Sequence, residues 1–176
     1  MQVESTTATP QKPLTSQLPP LVRELLHVRG LDDDASIQAF LFPNYDTALA
    51  DPYRMTDMEA AVVRITEAIA RREQVAVYGD YDIDGIVSTA LMAEVLQLHG
   101  LTPLTYIPDR YDEGYGIHIK ALEELKSQGV SLVISVDCGI TSVAEAEWAQ
   151  QNGLDLVITD HHDVGAEIPQ AAAVVN

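Results

Sequence analysis

The sequence has little cysteine, few basic residues and no long apolar run, and each shortage narrows what the chain can be. Cys138 is the one cysteine in 176 residues, so an intrachain disulfide is impossible and a reducing cytoplasm is expected. Lys and Arg number 10 against 27 Asp and Glu, and the net charge of −17 argues against a broad nucleic-acid-binding surface. It does not exclude a nucleic-acid enzyme, because bound metal ions change the local field.

No apolar stretch approaches the roughly 18 residues that cross a bilayer, and the first 20 residues lack the apolar core of a signal peptide. Hydrophobic residues make up 47% of the chain and the mean hydropathy is +0.02, which indicates a soluble globular protein without membrane association. Residues 1–20 are rich in Thr, Ser, Gln and Pro and are predicted to form a flexible tail.

A helical N-terminal segment is predicted for residues 21–73. Its helices are expected at about 21–29 and 33–41, followed by a longer one after Thr56-Asp-Met-Glu59, which has the form of a capping box. Apolar residues then recur with the spacing of one helical face, and the helix is expected to end at Arg71-Arg72, where cations suit the helix dipole.

From residue 74 onward, short apolar runs alternate with helical patterns, which predicts an α/β domain over residues 74–176. Strands are expected at 75–78, 104–107, 132–136, 156–158 and 171–175, and helices at 86–98, 117–127 and 143–151. Continuous apolar strands separated by single helices indicate a parallel β-sheet with helices on both faces. Right-handed crossovers then bring the carboxyl ends of all the strands to one edge, where ligands bind in such sheets.

Three polar clusters follow directly after predicted strands and are therefore expected to meet at that edge. They comprise Asp80, Asp82 and Asp84; Val136-Asp137-Cys-Gly139; and Thr159-Asp160-His161-His162-Asp163. In an extended chain the three aspartates at alternate positions would point the same way, and such close like charges need a cation to neutralise them. Carboxylates beside imidazoles suit a two-metal site of the kind that catalyses phosphoryl transfer, although Asp84 can also cap the following helix.

The loop from Pro108 to Gly116 is expected at the same edge and contains the candidate substrate-binding residues. Arg110 can pair with a phosphate through two hydrogen bonds, and Gly114 and Gly116 would let backbone N–H groups approach it. Two interpretations stay open for Arg110, because a surface salt bridge explains it equally well. Tyr115 can stack on a base or simply pack the loop.

Four motifs occur in the order and spacing of the DHH phosphoesterases: Gly79-Asp-Tyr-Asp-Ile-Asp-Gly85, Arg110-Tyr-Asp-Glu-Gly-Tyr-Gly116, Ser135-Val-Asp-Cys-Gly-Ile-Thr141 and Asp160-His-His162. The chain resembles most closely the RecJ-type exonucleases of that superfamily, and the resemblance runs from about Leu18 to the end. The aspartate and DHH motifs carry the superfamily likeness. The glycine-tyrosine-glycine loop and the N-terminal stretch narrow it to the RecJ type.

The resemblance implies 5′→3′ hydrolysis of single-stranded DNA, in repair or recombination, with two Mn²⁺ or Mg²⁺ ions. It implies that Asp80, Asp82 and Asp137 hold one ion and that Asp84, Asp137 and His161 hold the other. His162 would face the scissile phosphate or support these ligands, and Arg110 with its glycines would meet the DNA. A single-strand-binding protein or a helicase would be a partner.

Two departures from the family pattern limit this expectation. The family supplies one more metal-binding aspartate downstream of the DHH motif, and the chain ends before that position, so a truncated domain with little nuclease activity is expected. Asp109 stands where the family has a neutral residue and would weaken phosphate attraction at Arg110. The alternatives are another DHH phosphoesterase, acting on oligoribonucleotides, cyclic dinucleotides or pyrophosphate, and a non-catalytic binding module. A dinucleotide-binding domain is disfavoured because Gly-x-Gly-x-x-Gly is missing after the first strand.

Overall fold

The computed structural model describes residues 13–176, which fall into two compact units that meet between Asp51 and Pro52 in the sequence. The sequence-based division lay at residue 73 instead. The structure differs because the helix over Met58–Arg71 contributes Ala61 and Ala68 to the same apolar core as the sheet. Residues 52–73 therefore belong with the α/β unit rather than with the N-terminal helices.

The first unit consists of four short helices, α1 (Leu14–Gln17), α2 (Pro20–Val28), α3 (Asp34–Leu41) and α4 (Tyr45–Ala48). The Asp33 carboxylate caps α3, as the predicted helix start requires. The neighbouring Asp34 carboxylate accepts hydrogen bonds from the backbone N–H groups of Leu14 and Thr15, which fastens α1 to α3. The predicted tail is thus wrong for residues 13–20, and its remaining part, residues 1–12, lies outside the described residues.

The second unit is a five-stranded parallel sheet with the strand order β2-β1-β3-β4-β5. Its strands are β1 (Val75–Tyr78), β2 (Leu104–Tyr106), β3 (Leu132–Val136), β4 (Asp155–Thr159) and β5 (Ala173–Val175). Its helices are α5 (Met58–Arg71), α6 (Ile83–Leu98), α7 (Ile119–Ser127) and α8 (Val143–Gln151), with a 3₁₀ turn at Pro52–Arg54. The predicted α/β class with a parallel sheet is confirmed.

Helices cover both faces of this sheet, which explains why its central strands are almost entirely apolar. The side chains of β1 and β3 are buried along their whole length. Residues of α5 and α6 complete the core on one face, and residues of α7 and α8 complete it on the other, where Cys138 is a buried filler. Because β1, β3 and β4 pair in parallel as neighbours, their carboxyl ends lie side by side at one edge of the sheet.

The predicted capping box at the start of α5 is wrong. The helix begins after Asp57, which has a left-handed backbone with φ of 57° and makes no capping hydrogen bond with its side chain. Its carboxylate instead accepts a hydrogen bond from the backbone N–H of Val174 in β5. The tertiary contact with the edge strand has replaced the local cap, a competition that the sequence pattern alone does not reveal.

The expectation that three aspartates share one direction in an extended chain is also wrong. Strand β1 ends at Tyr78 and α6 begins at Ile83, earlier than the predicted start at residue 86. Asp82 is the N-cap of α6, and its carboxylate accepts hydrogen bonds from the N–H groups of Asp84 and Gly85 at 2.9 and 3.0 Å. Asp84 is therefore in the first helical turn, where side chains no longer alternate.

An ion-pair network fixes the middle of α5 to the strand N-termini at the opposite edge of the sheet. The Arg64 guanidinium contacts Glu73 at 2.7 Å and Asp155 at 2.6 Å, and Ser131 donates a second hydrogen bond to Glu73. The side chains of Arg64 and Glu73 are only 14% and 15% exposed. The hydrogen bond from Arg64, more than any other contact, lowers the pKa of Glu73.

We expect Arg64→Met to lower the free energy of unfolding by about 3 kcal/mol. It removes the closer of two cations, at 2.7 Å, from the buried Glu73 carboxylate and leaves only the exposed Arg71 at 3.8 Å. Urea unfolding at pH 7 measures this loss. Arg71→Met is the control: its exposed guanidinium lies farther from Glu73, at 3.8 Å, so its loss should cost less than about 1 kcal/mol. Since folding lowers the pKa of Glu73, its contribution is present above the unfolded-state pKa and disappears as the pH falls through the folded-state pKa. In Arg64→Met, stability should therefore fall less as the pH is lowered. An unchanged dependence of stability on pH would contradict the role of Arg64 in lowering the pKa of Glu73.

Candidate metal centre

The three predicted strand-end clusters converge at the carboxyl edge of the sheet. Ligand atoms of Asp80, Asp82 and Asp137 lie within 4.8 Å of one another, and so do those of Asp137, His161 and His162. Asp137 follows the central strand β3 and belongs to both groups. It is therefore the residue that the two candidate ligand groups share.

Two buried carboxylate oxygens in this cluster have no hydrogen-bond donor among the residues that the structure describes. They are Oδ1 of Asp80 and Oδ2 of Asp137, and the two residues are 3% and 8% exposed. Burial raises the pKa of Asp137, and the charge of Asp82 raises it further. The contact between Asp137 Oδ1 and His161 Nε2, at 2.9 Å, acts in the other direction and lowers it. Unpaired buried carboxylate oxygens are costly unless a cation meets them, so the site fits a divalent metal.

The loop between β1 and α6 lies close against the helix because two glycines have no side chain. A Cβ on Gly85 would lie 2.4 Å from the carbonyl oxygen of Asp80 and 2.5 Å from its amide nitrogen. A Cβ on Gly79 would lie 1.9 Å from Oγ1 of Thr89. The glycines at both ends of the aspartate motif thus set where Asp80 and Asp82 lie.

Asp137 has a left-handed backbone, with φ of 63°, which is uncommon for a residue with a side chain. The following Gly139 has φ of 115°, and a Cβ there would lie 3.0 Å from Ile117 Cδ1 and from Ser135 Oγ. The tight turn after β3 is held by Ser135, whose hydroxyl donates to the carbonyl of Cys138 at 2.9 Å. This turn directs the Asp137 carboxylate toward the ends of β1 and β4.

Asp160 was not among the site residues proposed from the sequence, although it begins the DHH motif. Its side chain is 0% exposed. Its Oδ2 accepts from the N–H of Ile140 at 2.9 Å, and its Oδ1 accepts from the N–H of His161 at 2.7 Å and contacts Nδ1 of His162 at 2.7 Å. Burial opposes ionisation of Asp160, but its hydrogen bonds outweigh burial and lower its pKa. The bond from the N–H of Ile140 makes the largest contribution among them.

The Asp160 carboxylate fixes the orientation of the second histidine. Its hydrogen bond raises the pKa of His162 and holds Nδ1 of the ring toward Asp160. The Tyr115 hydroxyl lies 3.0 Å from the same Nδ1. The neutral imidazole would then present Nε2 as its free acceptor, in the way that carboxylates orient histidines at metal sites. The only sequence signal for this role was the motif itself.

Asp84 is the predicted metal ligand that the structure leaves outside both ligand groups. It lies in the first turn of α6 and lines a cleft of about 490 Å³ together with Asp137, Asp160 and His161. The cleft wall on the α6 side is apolar, formed by Leu91, Met92 and Val95. A role for Asp84 in metal binding therefore stays a prediction.

The predicted substrate-binding loop lies beside the cluster and is tied to it at several points. The Arg110 guanidinium carbon is 5.3 Å from the centre of the ring of Tyr81, which stands between Asp80 and Asp82 in the sequence. Gly114 and Gly116 have positive φ, 83° and 97°. The carbonyl of Gly116 accepts from the Tyr78 hydroxyl, so it faces the core rather than a ligand.

The model of the DHH family, N-terminal domain, matches residues 74–176, more than half of the chain. The chain belongs to the DHH family. Among curated DHH relatives, the single-stranded-DNA-specific exonuclease RecJ of Bacillus subtilis is 45% identical over 167 residues, which are 94% of this chain and 21% of the relative. The Escherichia coli exonuclease of the same name is 30% identical over 164 residues, 93% of this chain and 28% of the relative.

Solved structures of RecJ exonucleases share the fold of this chain. A crystal structure of exonuclease RecJ bound to manganese superposes with a TM-score of 0.66 at 32% identity, covering 72% of this chain and 32% of that one. RecJ from Thermus thermophilus in complex with Mn²⁺ gives 0.59 at 28% identity, covering 90% of this chain and 21% of that one. This DHH chain thus spans about a fifth to a third of the length of these relatives.

The DHH domain and the preceding helices give no sign of a membrane segment. Within residues 13–176, no helix is both long enough and apolar enough to cross a bilayer.

Proposed function

We propose that this chain is the metal-dependent catalytic domain of a phosphodiesterase that degrades single-stranded DNA from the 5′ end. The observation that carries the proposal is the meeting of two buried carboxylate oxygens, on Asp80 and Asp137, beside the two histidines of the DHH motif. Neither oxygen has a hydrogen-bond partner within residues 13–176. A fold gains nothing from such a cluster without a cation, since each unpaired oxygen costs free energy of folding.

Oxygen and imidazole donors together suit Mn²⁺, and the carboxylates alone suit Mg²⁺. Asp80, Asp82 and Asp137 would hold one ion. Asp137 and His161 would hold a second, with Asp84 or His162 completing its ligands. When bound, two such ions polarise a phosphodiester and lower the pKa of the attacking water.

The remaining residues of the site act on the substrate and on the ligands. Arg110, which lies over Tyr81 beside the aspartates, would pair with a backbone phosphate and hold the chain at the cluster. Asp160 keeps the His162 ring turned toward the site, where it would contact the scissile phosphate or support the metal ligands. A net charge of −17 leaves metal ions and Arg110 as the local attraction for an anionic substrate.

The substrate class comes from the relatives, whose names describe single-stranded-DNA-specific exonucleases and whose crystal structures contain manganese. We extend both to this chain. A cytoplasmic location and a partnership with a single-strand-binding protein or a helicase are part of the same proposal.

Hydrolysis assays with Mn²⁺ test the proposal by comparing substrates. The chain should bind 5′-phosphorylated single-stranded DNA in a Mn²⁺-dependent way. Its release of mononucleotides from the 5′ end should be slow, as expected of a domain with little nuclease activity, and Asp82→Asn should abolish it. Preference for cyclic dinucleotides, oligoribonucleotides or pyrophosphate would favour another DHH phosphoesterase. A chain that binds neither Mn²⁺ nor DNA would overturn the proposal.

A further inference from the structure

The segment that carries Arg110 is a closed turn fastened by its first residue. The backbone carbonyl of Asp109 accepts from the N–H groups of Glu113 at 2.9 Å and Gly114 at 3.1 Å. The Asp109 carboxylate accepts from the N–H groups of Tyr111 at 2.8 Å and Asp112 at 3.1 Å. One aspartate therefore satisfies four backbone donors of the five residues that follow it.

Glu113 completes the turn from the other end. Its Oε2 accepts from the N–H of Asp109 at 2.8 Å, a reciprocal contact of the kind found in capping boxes. Its Oε1 accepts from the hydroxyl of Tyr106 in β2 at 2.7 Å, which anchors the turn to the sheet. That hydrogen bond lowers the pKa of Glu113. Burial, and then the hydrogen bond with Glu113, raises the pKa of Tyr106 to about 12. Near neutral pH the Tyr106 hydroxyl is therefore the donor and the Glu113 carboxylate the acceptor.

This arrangement changes the interpretation of Asp109. The sequence suggested a misplaced negative charge that weakens phosphate attraction at Arg110. In the structure the carboxylate charge is directed at backbone N–H donors inside the turn. Arg110 is the next residue, and its guanidinium lies over the Tyr81 ring beside the metal ligands.

We propose that Asp109 and Glu113 are positioning residues, which hold the turn closed so that Arg110 is presented at the metal cluster. The inference rests on the proposed function in taking a nucleic-acid phosphate as the ligand of Arg110. Without the cap, the turn would sample open conformations, and Arg110 would lose part of its binding free energy to ordering the loop.

Two substitutions at residue 109 separate positioning from charge. Asp109→Asn removes the charge and keeps an oxygen that can cap, whereas Asp109→Ala removes both. The probe is 5′-phosphorylated oligo(dT) with saturating Mn²⁺, followed by fluorescence anisotropy. Positioning predicts an affinity for Asp109→Asn within about twofold of the wild type and a loss of roughly five- to tenfold for Asp109→Ala. If the charge dominated, both variants would bind more tightly, and that result would overturn the inference.

Asp112→Asn is the matched control, because it removes the same charge from the same turn without removing the cap. It should bind the probe as Asp109→Asn does. A loss as large as that of Asp109→Ala would contradict the role assigned to Asp109.

A second readout does not depend on any ligand. Amide hydrogen exchange at Glu113 and Gly114, and the ring-current shift that Tyr81 imposes on Arg110, both report whether the turn is closed. Both should persist in Asp109→Asn and disappear in Asp109→Ala. If the wild type failed to bind the oligonucleotide, the proposed function would fall, while these two signals would still decide whether Asp109 positions Arg110.

Discussion

Asp137→Asn is expected to abolish the stabilisation that Mn²⁺ confers while leaving the metal-free protein at least as stable as the wild type. Burial and the neighbouring Asp82 raise the pKa of Asp137, so the metal-free site contains repelling carboxylates. An amide of the same shape removes that repulsion, can still accept from His161, and tolerates the left-handed backbone at this position. It supplies no second carboxylate oxygen to a cation.

Thermal and urea unfolding with and without Mn²⁺ measure both effects. At a free Mn²⁺ concentration about 100 times the dissociation constant, the wild type should gain about 2.7 kcal/mol in its free energy of unfolding, and the variant should gain almost nothing. The control is Glu123→Gln, which removes one negative charge from the exposed side of α7 and should retain the full Mn²⁺ effect. Equal stabilisation of Asp137→Asn and the wild type would exclude the proposed metal centre.

Gly85→Ala is expected to destabilise the domain and to weaken Mn²⁺ binding at least tenfold, against the usual trend for helices. Alanine in a helix interior is normally more stable than glycine by about 1 kcal/mol. Here the added Cβ would lie 2.4 to 2.5 Å from backbone atoms of Asp80, which cannot move aside as a flexible side chain would. Relieving this overlap displaces Asp80, so we expect a loss of about 1–3 kcal/mol in the free energy of unfolding.

Gly165→Ala is the matched control, because a Cβ there would lie 3.7 Å from its nearest neighbours, Glu167 and Thr141. Calorimetric titration with Mn²⁺, together with urea unfolding, should show that this variant behaves as the wild type does. If Gly85→Ala were stabilised and bound Mn²⁺ normally, the close approach of helix and loop would not be what places Asp80.

The sheet was predictable because its two central strands, β1 and β3, are buried on both faces and are therefore almost entirely apolar. The runs 75–78 and 132–136 were predicted with the bounds that the structure has. Parallel pairing then brings all the strand ends to one edge, which is why Asp80, Asp137 and His161 were expected to converge. Convergence follows from chain connectivity and handedness, and it needs no knowledge of individual contacts.

The errors arose where one side chain can satisfy two partners. Asp82 caps α6, so Asp84 turns onto the helix instead of pointing with its neighbours. Asp57 bonds to β5 rather than capping α5. The Asp109 carboxylate accepts from the N–H of Tyr111 in its own turn, a partner that the sequence pattern did not reveal. The choice between a local and a distant donor depends on which backbone groups the fold leaves unpaired.

By itself, the sequence determined the fold class, the edge at which the polar clusters meet and the kind of ion that they suit, because apolar periodicity and ligand chemistry are local properties. Only the tertiary structure decided which carboxylates carry unpaired oxygens and which are already occupied. Asp160 shows the difference: the sequence places it in a polar cluster at the start of a motif, and the fold makes it the buried acceptor that orients His162. Hydrogen-bond partners distant in sequence exist only once the strand ends have been brought together.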